Sequence, residues 1–206
     1  MLSKKLRQLI LGVTACAMVY VANPAGAQLQ ITEVMVNSVV EGTWEWIEVR
    51  NPTGSAIDLN NWVLDDDDNN ALTMPNIVGT GSGGMATTTM IPANGVGVLY
   101  NGTALGFNNQ RFRNAWQLGA NVPLVAIAGP PDLGNTGDHF GLWNSLASYN
   151  MDVADTDMDG DFEVFQFSNS QASIDYTSGF PAGTDRSLYW NGTGAFSNGA
   201  NWSAST

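Results

Sequence analysis

Residues 31–68 read ITEVMVNSVVEGTWEWIEVRNPTGSAIDLNNWVLDDDD and contain strand-like runs, turn signals and four consecutive aspartates. In the first two runs, 31–36 and 44–49, the side chains alternate with a two-residue period, which is typical of strands with one buried face. Asn-Pro-Thr-Gly at 51–54 then predicts a turn, because proline fixes its own φ and glycine tolerates positive φ. A third strand is predicted over 57–64, just before the aspartates.

The order of these motifs resembles a known protein family. The pattern I-x-E-V, then W-I-E-V-x-N, a Pro or Gly turn, and I-D-L-x-x-W-x-L-x-D looks like the opening of a lamin tail domain, in the secreted bacterial version of that family. The likeness continues over roughly residues 30–203, with IPANGVGVL at 91–99, LGNTGD at 133–138, SIDY at 173–176, RSL at 186–188 and NW at 201–202. The resemblance implies an all-β, immunoglobulin-like β-sandwich with long loops, a binding or scaffolding role and no common catalytic apparatus. A fold likeness alone does not establish function.

The first residues have the pattern of a secretory signal peptide. Three basic residues precede an apolar run over 9–22, and the small residues Ala-Gly-Ala follow at 25–27. This pattern predicts a signal peptide over 1–27 that is cleaved before Gln28, and hence a secreted or periplasmic protein. A membrane anchor is disfavoured, because the apolar run is shorter than the roughly 20 residues of a spanning helix. As an alternative, VTAC loosely resembles a lipoprotein processing box, in which Cys16 would carry the lipid.

The remainder of the chain predicts one domain without disulfides. Residues 28–206 are long enough for a single domain that buries most of its apolar surface. Strand-like runs separated by Gly, Asn and Pro recur throughout, which is typical of a sandwich or barrel. Loop insertions are predicted around 76–118 and 144–170. Cys16 is the only cysteine, so the mature chain must depend on β-core packing and on any metal that it binds.

The charge balance is strongly acidic. Three of the seven basic residues lie in the predicted signal peptide, which leaves four arginines and no lysine against 19 acidic residues. Such a field repels phosphate backbones and disfavours nucleic-acid binding, which depends on lysine and arginine contacts. It favours cations instead, although high net charge also keeps secreted proteins in solution.

Residues 155–163, DTDMDGDFE, carry the sharpest chemical signal. Calcium takes six to eight oxygen ligands, and D-x-D-x-D-G supplies carboxylates from alternate positions while the glycine permits a tight turn. The twelfth position of such a loop falls on Gln166, which cannot supply a bidentate carboxylate. The loop therefore resembles those of dockerin or thrombospondin type 3 repeats, and the alternative is an acidic, solvated turn. The predicted ligands of a structural calcium ion are Asp155, Asp157, Asp159, the backbone carbonyl of Asp161, and Glu163.

Glu33 and Glu48 match acidic positions of the family pattern. Regular alternation places Glu33 on one face of its strand with Ile31 and Met35. Two carboxylates on neighbouring strands could act as general acid and base in glycoside hydrolysis, where their separation sets the outcome. In the structural alternative, both carboxylates accept hydrogen bonds from turn amides beside the sheet.

Aromatic residues suggest a sugar-stacking platform as one alternative and core packing as the other. We predict that Trp46 and Trp62 fill the sandwich, and that the candidates for exposure are Trp44, Trp143 and Trp190. Residues 108–118, NNQRFRNAWQL, predict a short helix with one face formed by Phe112, Ala115 and Trp116.

Two further candidates for chemistry are weak. In an extended chain Asp65–Asp68 could turn at most two carboxylates toward one ion, and the family pattern makes Asp65 structural. His139 is the only histidine and no serine lies in a G-x-S-x-G elbow, so neither a catalytic triad nor a zinc site is indicated. We expect His139 to be an exposed turn residue.

These patterns together predict a secreted, non-catalytic β-sandwich that acts as a binding or surface-associated module with a calcium-stabilised loop. Its partner would be an extracellular protein or a polysaccharide, and its oligomeric state is left open. The alternative is a secreted acidic hydrolase that acts on polysaccharide through carboxylates such as Glu33, Glu48 or Glu163.

Overall fold

The computed structural model describes most of the chain after the predicted signal peptide, in the ranges 29–36, 38, 44–66, 76–77, 88–102, 109–127, 133–135, 137–154, 164–176, 186–194 and 198–205. Within these ranges the chain forms fourteen β-strands, two short α-helices and one turn of 3-10 helix. The first seven strands are β1 (Gln30–Met35), β2 (Trp46–Arg50), β3 (Ile57–Asp58), β4 (Val63–Asp66), β5 (Asn76–Ile77), β6 (Met90–Ile91) and β7 (Val96–Asn101). The others are β8 (Leu124–Ile127), β9 (His139–Trp143), β10 (Val153–Ala154), β11 (Val164–Phe165), β12 (Ala172–Asp175), β13 (Leu188–Trp190) and β14 (Trp202–Ala204). Helix α1 spans Asn109–Ala115, helix α2 spans Leu146–Tyr149, and the 3-10 turn spans Gly199–Asn201.

The strands form two main sheets and two small ribbons. A six-stranded sheet has the order β14-β13-β1-β2-β7-β8, and a four-stranded sheet has the order β12-β9-β4-β5. The ribbons pair β3 with β6 and β10 with β11. All of these pairs are antiparallel except β7 and β8, which are parallel. Parallel neighbours need a long crossover, and α1 lies in the connection between these two strands.

The main core lies between the two sheets. The six-stranded sheet contributes one apolar cross-strand row, formed by Leu188, Val34, Ile47, Leu99 and Val125. The four-stranded sheet contributes the row Ala172, Leu142 and Leu64. All of these residues are buried in a single cluster. The architecture is an immunoglobulin-like β-sandwich, which confirms the predicted fold class.

The predicted third strand over 57–64 is wrong as a continuous element. The chain instead forms β3 and β4, which belong to different sheets. A turn separates them, in which the Asn60 amide donates to Asp58 Oδ1 at 3.0 Å and Asn61 has φ 63°. Asparagine tolerates this left-handed conformation, so the turn at Asn61 separates β3 from β4 and leads the chain into the four-stranded sheet.

Each sheet also carries apolar side chains on its outer face, the face directed away from the other sheet. Helix α1 covers the outer face of the six-stranded sheet with Phe112, which is fully buried. The predicted helix is therefore confirmed, but Ala115, expected on its packed face, is exposed. The seven-residue helix turns only Phe112 fully toward the sheet, while Trp116, just after it, is half-buried.

Candidate functional site

A β-bulge in β1 turns Glu33 to the outer face of the six-stranded sheet. The register between β1 and β2 shifts between Ile31 and Glu33. Ile31 consequently packs in the central core, whereas Met35 belongs to the outer cluster and Glu33 lies opposite Glu48. The expectation that Ile31 and Glu33 share a face is wrong, because the extra residue of a bulge changes the alternation of side chains.

The bulge places Glu33 and Glu48 side by side as directly opposed cross-strand partners. We call these two residues the glutamate pair. The β-carbons of such partners are typically about 4.5–5.5 Å apart. The pair lies in one row across the whole sheet, formed by Ser203, Tyr189, Glu33, Glu48, Val98 and Leu124. Two carboxylates thus meet in the middle of a sheet face.

Hydroxyl groups hold one oxygen of each carboxylate. The Thr32 hydroxyl donates to Glu48 Oε1 at 2.6 Å, and the buried Ser187 hydroxyl donates to Glu33 Oε1. The predicted hydrogen bonds from turn amides are therefore wrong, since both donors are side-chain hydroxyls, one within β1 and one just before β13. Within the described ranges, neither carboxylate forms an ion pair.

The pKa of both carboxyls lies above its ordinary value. Burial is the main cause at Glu33, and the charge of Glu48 adds to it, while the hydrogen bond from Ser187 opposes the rise. Burial likewise raises the pKa of Glu48 against the hydrogen bond from Thr32. Ionising the pair therefore costs free energy in the protein without a ligand, because two partly desolvated like charges face each other.

A cavity of about 100 Å³ lies on one side of the glutamate pair. We call it the aromatic pocket. Its walls are the glutamate pair, three aromatic rings and two aliphatic side chains, which are Trp46, Phe112, Trp116, Val98 and Leu118. The Trp46 ring meets the Trp116 ring edge-to-face at 5.2 Å and the Phe112 ring at 6.3 Å between centroids. Phe112 of helix α1, together with Trp116 and Leu118 just after the helix, therefore covers this pocket.

A wider groove of about 480 Å³ lies on the other side of the pair, toward Arg50. We call it the outer groove. Besides the glutamate pair, it is lined by Thr32, Arg50, Val96, Tyr189 and Trp190. Tyr189 is 39% exposed, which makes it one of the few large exposed apolar side chains among the described residues. The glutamate pair thus separates a small aromatic pocket from a larger polar groove.

Two indole groups in the wall of the aromatic pocket have buried donors. The Nε1 atoms of Trp46 and Trp116 are inaccessible and find no hydrogen-bond partner among the described residues. Each buried unsatisfied donor costs about 1–3 kcal/mol. Buried polar groups are normally satisfied, so these two donors make the packing of this outer face less favourable than it would be with their hydrogen bonds formed.

The predicted calcium ligands, Asp155 to Glu163, lie outside the described residues. The structure describes the chain on either side of them, where Val153–Ala154 pairs antiparallel with Val164–Phe165. The chain after Glu163 thus enters a strand rather than a helix. Asp152 anchors it through hydrogen bonds from the Ser168 hydroxyl at 2.8 Å and the Asn169 amide at 2.7 Å.

The tetra-aspartate motif is mostly structural where it is described. Asp65 and Asp66 belong to β4, whereas Asp67 and Asp68 lie outside the described residues. The hydroxyl of Tyr149 donates to Asp65 Oδ2, in agreement with a structural Asp65. No group of three or more potential metal ligands occurs in the part of the chain that the structure describes.

The tryptophan predictions are partly wrong. Trp143, predicted as a candidate for exposure, is fully buried, and its Nε1 donates to Asp152 Oδ2 at 2.8 Å. Trp62 belongs to the central core as predicted, but Trp46 packs beneath α1 rather than between the sheets. Trp44 and Trp190 are half-buried. Trp143 is the last residue of β9 and packs in a small separate cluster on the outer face of the four-stranded sheet. Sequence spacing did not reveal this cluster.

His139 is not the exposed turn residue that its sequence context predicts. It opens β9, is half-buried, and stacks on Phe167 with ring centroids 3.6 Å apart. Burial lowers its pKa, against the charges of Asp175 and Asp138. The ring is therefore a packing element on the outer face of the four-stranded sheet.

The predicted signal peptide and the lipidation alternative at Cys16 also fall outside the described residues. Among those that are described, no helix is both long and apolar enough to cross a membrane. The place of the protein in the cell thus stays a prediction.

Several residues of the site were not singled out from sequence. Thr32, Ser187 and Tyr189 meet the glutamate pair only because of strand register, which sequence alone does not fix. Phe112 and Trp116 carried a usable signal, since their helical spacing predicted a common face. What covers that face could not be read from the spacing.

Comparison with known proteins identifies a matching family. The model of a family described as Lamin Tail Domain matches residues 22–145, more than half of the chain. No curated protein and no solved structure matches. The match ends before β12 and β13, yet these strands pair with β9 and β1. The two sheets thus include chain beyond the matched range.

Proposed function

The chain belongs to the lamin tail domain family, and we propose that it is a secreted, non-catalytic binding module that takes its ligand at the glutamate pair. The family fold is an immunoglobulin-like sandwich, a scaffold that presents its faces and loops to partners. The observation that carries the proposal is the direct opposition of Glu33 and Glu48 between two cavities. Secretion is supported by the signal-peptide pattern before Gln28, and the binding domain would comprise residues 28–206.

A ligand would offset a cost that the free protein carries. Like charges directly opposite each other on a sheet destabilise it, and partial burial adds desolvation. The hydroxyls of Thr32 and Ser187 satisfy only one oxygen of each carboxylate. A partner that supplies donors to the remaining oxygens would gain free energy from this arrangement.

The proposal includes a structural calcium ion held by Asp155, Asp157, Asp159, the carbonyl of Asp161, and Glu163. Its support is the D-x-D-x-D-G pattern together with the flanking ribbon, which brings Ala154 next to Val164. Such an ion would fix the loop between β10 and β11 without taking part in ligand binding.

A second candidate function, hydrolysis of a polysaccharide, is favoured by one observation. Neighbouring carboxylates are what glycoside hydrolysis needs, and the glutamate pair lines an open groove. Against it, both carboxyls have raised pKa for the same reason, burial. An acid and a base need environments that push their pKa values apart.

A binding screen separates these functions. The purified protein would be tested on arrays of extracellular polysaccharides and immobilised surface proteins, with and without calcium, beside Glu33→Gln/Glu48→Gln and the control Asp175→Asn, which removes one carboxylate elsewhere on the surface. Asp175 is exposed on β12 of the other sheet. We expect at least one defined component to bind the wild type and Asp175→Asn but not the double variant. Binding that ignores the glutamate pair contradicts the site, and release of saccharide fragments supports the hydrolase.

A further inference from the structure

The lining of the aromatic pocket narrows the chemistry of its ligand. Two carboxylates and three aromatic rings dominate it, and no basic side chain is among its described lining residues. Anionic groups would be repelled by Glu33 and Glu48. Cations, in contrast, are attracted both by carboxylates and by the faces of aromatic rings, with tryptophan the strongest.

The free oxygens of the glutamate pair fit an ammonium group. One oxygen of each carboxylate accepts from a hydroxyl, of Ser187 or Thr32. The second oxygen of each accepts no hydrogen bond from a described residue. An ammonium group has three donors and no acceptor, so it could bridge the two remaining oxygens and cancel the repulsion between them.

The size of the pocket indicates that a group enters rather than a whole molecule. Complete small ligands generally occupy about 300–1,000 Å³, whereas this cavity measures about 100 Å³. The outer groove of about 480 Å³ on the far side of the pair could hold the rest of the ligand. Its lining includes Arg50, Tyr189 and Trp190, which suit a polar or peptide-like body.

We propose that the glutamate pair and the aromatic pocket bind a primary ammonium group at the end of a flexible aliphatic chain, the chemistry shared by a lysine side chain and an alkyl diamine. This inference rests on the proposed function, because it names the ligand class of the same site. The ammonium lies between Glu33 and Glu48 at the aromatic pocket lined by Trp46 and Trp116. Its methylene groups extend into the outer groove beside Tyr189 and Trp190. Neutralising the pair upon binding replaces the cost of two opposed charges with charge-assisted hydrogen bonds.

The test uses two probes that carry a primary ammonium group and one that lacks it. Nα-acetyl-lysine methylamide and cadaverine would be titrated by calorimetry and tryptophan fluorescence, and Nα-acetyl-norleucine methylamide serves as the uncharged match for lysine. We expect the lysine probe to bind about 10- to 100-fold more tightly than the norleucine probe, which corresponds to about one charge-assisted hydrogen bond. Tighter binding of the lysine probe than of cadaverine assigns the source to a peptide, and the reverse order assigns it to a free diamine.

Matched variants locate the binding. Glu33→Gln and Glu48→Gln should each lower the affinity for the lysine probe about tenfold or more. Asp175→Asn, with the same change of net charge, should change this affinity by less than about twofold. Thermal melting of each variant confirms that the fold is retained. Equal affinity for the lysine and norleucine probes, or equal loss in Asp175→Asn, overturns the ammonium assignment. If a polysaccharide or protein still binds through the glutamate pair, the proposed function stands and only the ammonium assignment is overturned. If nothing binds there, the proposed function and the ammonium assignment are both overturned.

Discussion

Asn51 shows how much one buried polar side chain contributes to this fold. It is fully buried, and its Nδ2 donates to the carbonyls of Ser55 at 2.7 Å and Pro92 at 3.0 Å. Its Oδ1 accepts from the amide of Thr53 at 3.0 Å. The residue thus joins the turn after β2 to the turn before β7.

We expect Asn51→Ala to lower the free energy of unfolding by about 1–3 kcal/mol, because it leaves buried carbonyls without donors. Asn51→Asp keeps the acceptor for Thr53 but turns a charge toward carbonyl oxygens, so it should be at least as damaging at neutral pH. Urea unfolding measures both, with the exposed Asn60→Ala as control. Variants at Asn51 that unfold like the control would show that its hydrogen bonds are dispensable.

The glutamate pair makes stability depend on pH in a specific direction. The folded-state pKa of Glu33 and Glu48 is raised above the ordinary value of 4.5. Between the unfolded and folded values the native state therefore holds more protons than the unfolded chain, and stability falls as pH rises through that window. The other ionisable side chains lining the two cavities are Arg50 and Tyr189.

Glu33→Gln or Glu48→Gln should therefore stabilise the protein at neutral pH, by roughly 0.2–1 kcal/mol for removing one of two opposed charges. The gain should shrink as pH falls below the folded-state pKa, where the wild-type carboxyls are protonated. Melting temperatures from about pH 4 to pH 8 test this prediction. The stability difference between the glutamine variant and wild type should favour the variant more at neutral pH than at acidic pH. The opposite trend would show that the two carboxylates are not desolvated and opposed.

The sequence predicted which residue types form the site better than which of them lie next to each other. The turn at 51–54 was correctly predicted, but Gly54 does not adopt positive φ, and the hydrogen bonds of Asn51 hold the turn instead. The facing of Glu33 and Glu48 depends on the bulge at Thr32. Alternation cannot anticipate a bulge, because the extra residue is specified by long-range pairing.

At the scale of elements, the close approach of Phe167 to β9 explains a glycine inside a strand. A β-carbon added to Gly141 would lie 2.6 Å from Phe167 Cδ1 and 2.8 Å from Trp143 Cη2. The Phe167 ring stacks on Trp143 at 5.5 Å and on His139 at 3.6 Å between centroids. The absence of a side chain at Gly141 lets Phe167 cover the whole strand.

We expect Gly141→Ala to destabilise the protein by about 1–3 kcal/mol, the usual cost of overpacking. Gly54→Ala is the matched control, since a β-carbon there meets no atom within 4 Å, and it should be neutral or slightly stabilising. Thermal melting distinguishes the two. If Gly141→Ala has the same melting temperature as Gly54→Ala, the packing of the Phe167 ring does not require the absence of a side chain at position 141.

The loop between β10 and β11 is the element that calcium should stabilise. Binding to the folded state alone raises the free energy of unfolding by about 2.7 kcal/mol at a calcium concentration of 100 Kd. We expect calcium to raise the melting temperature of wild type and Asp175→Asn, and Asp157→Ala to abolish the rise. If chelation leaves the melting temperature unchanged in wild type as well as in Asp157→Ala, the segment is only an acidic turn.

For the whole molecule, the sequence predicted the fold class and missed the coverage of the sheets. Alternating runs and ordered motifs were enough for a sandwich, because they record which strand faces are apolar. The outer clusters around Phe112 and Trp143 were not predicted. They depend on where α1 and Phe167 return to the sheets, which local patterns do not encode.

We expect the paired, partly desolvated carboxylates of Glu33 and Glu48 on the outer face to bind a cation. Carboxyl ¹³C titration by NMR of Glu33 and Glu48, with and without the lysine probe, tests it most directly. We predict that the pair titrates in coupled steps above the ordinary value of 4.5, and that the lysine probe shifts both steps to lower pH. If Glu33 and Glu48 titrate independently at ordinary pKa values, and the lysine probe leaves those values unchanged, the pair is not a cation-binding site.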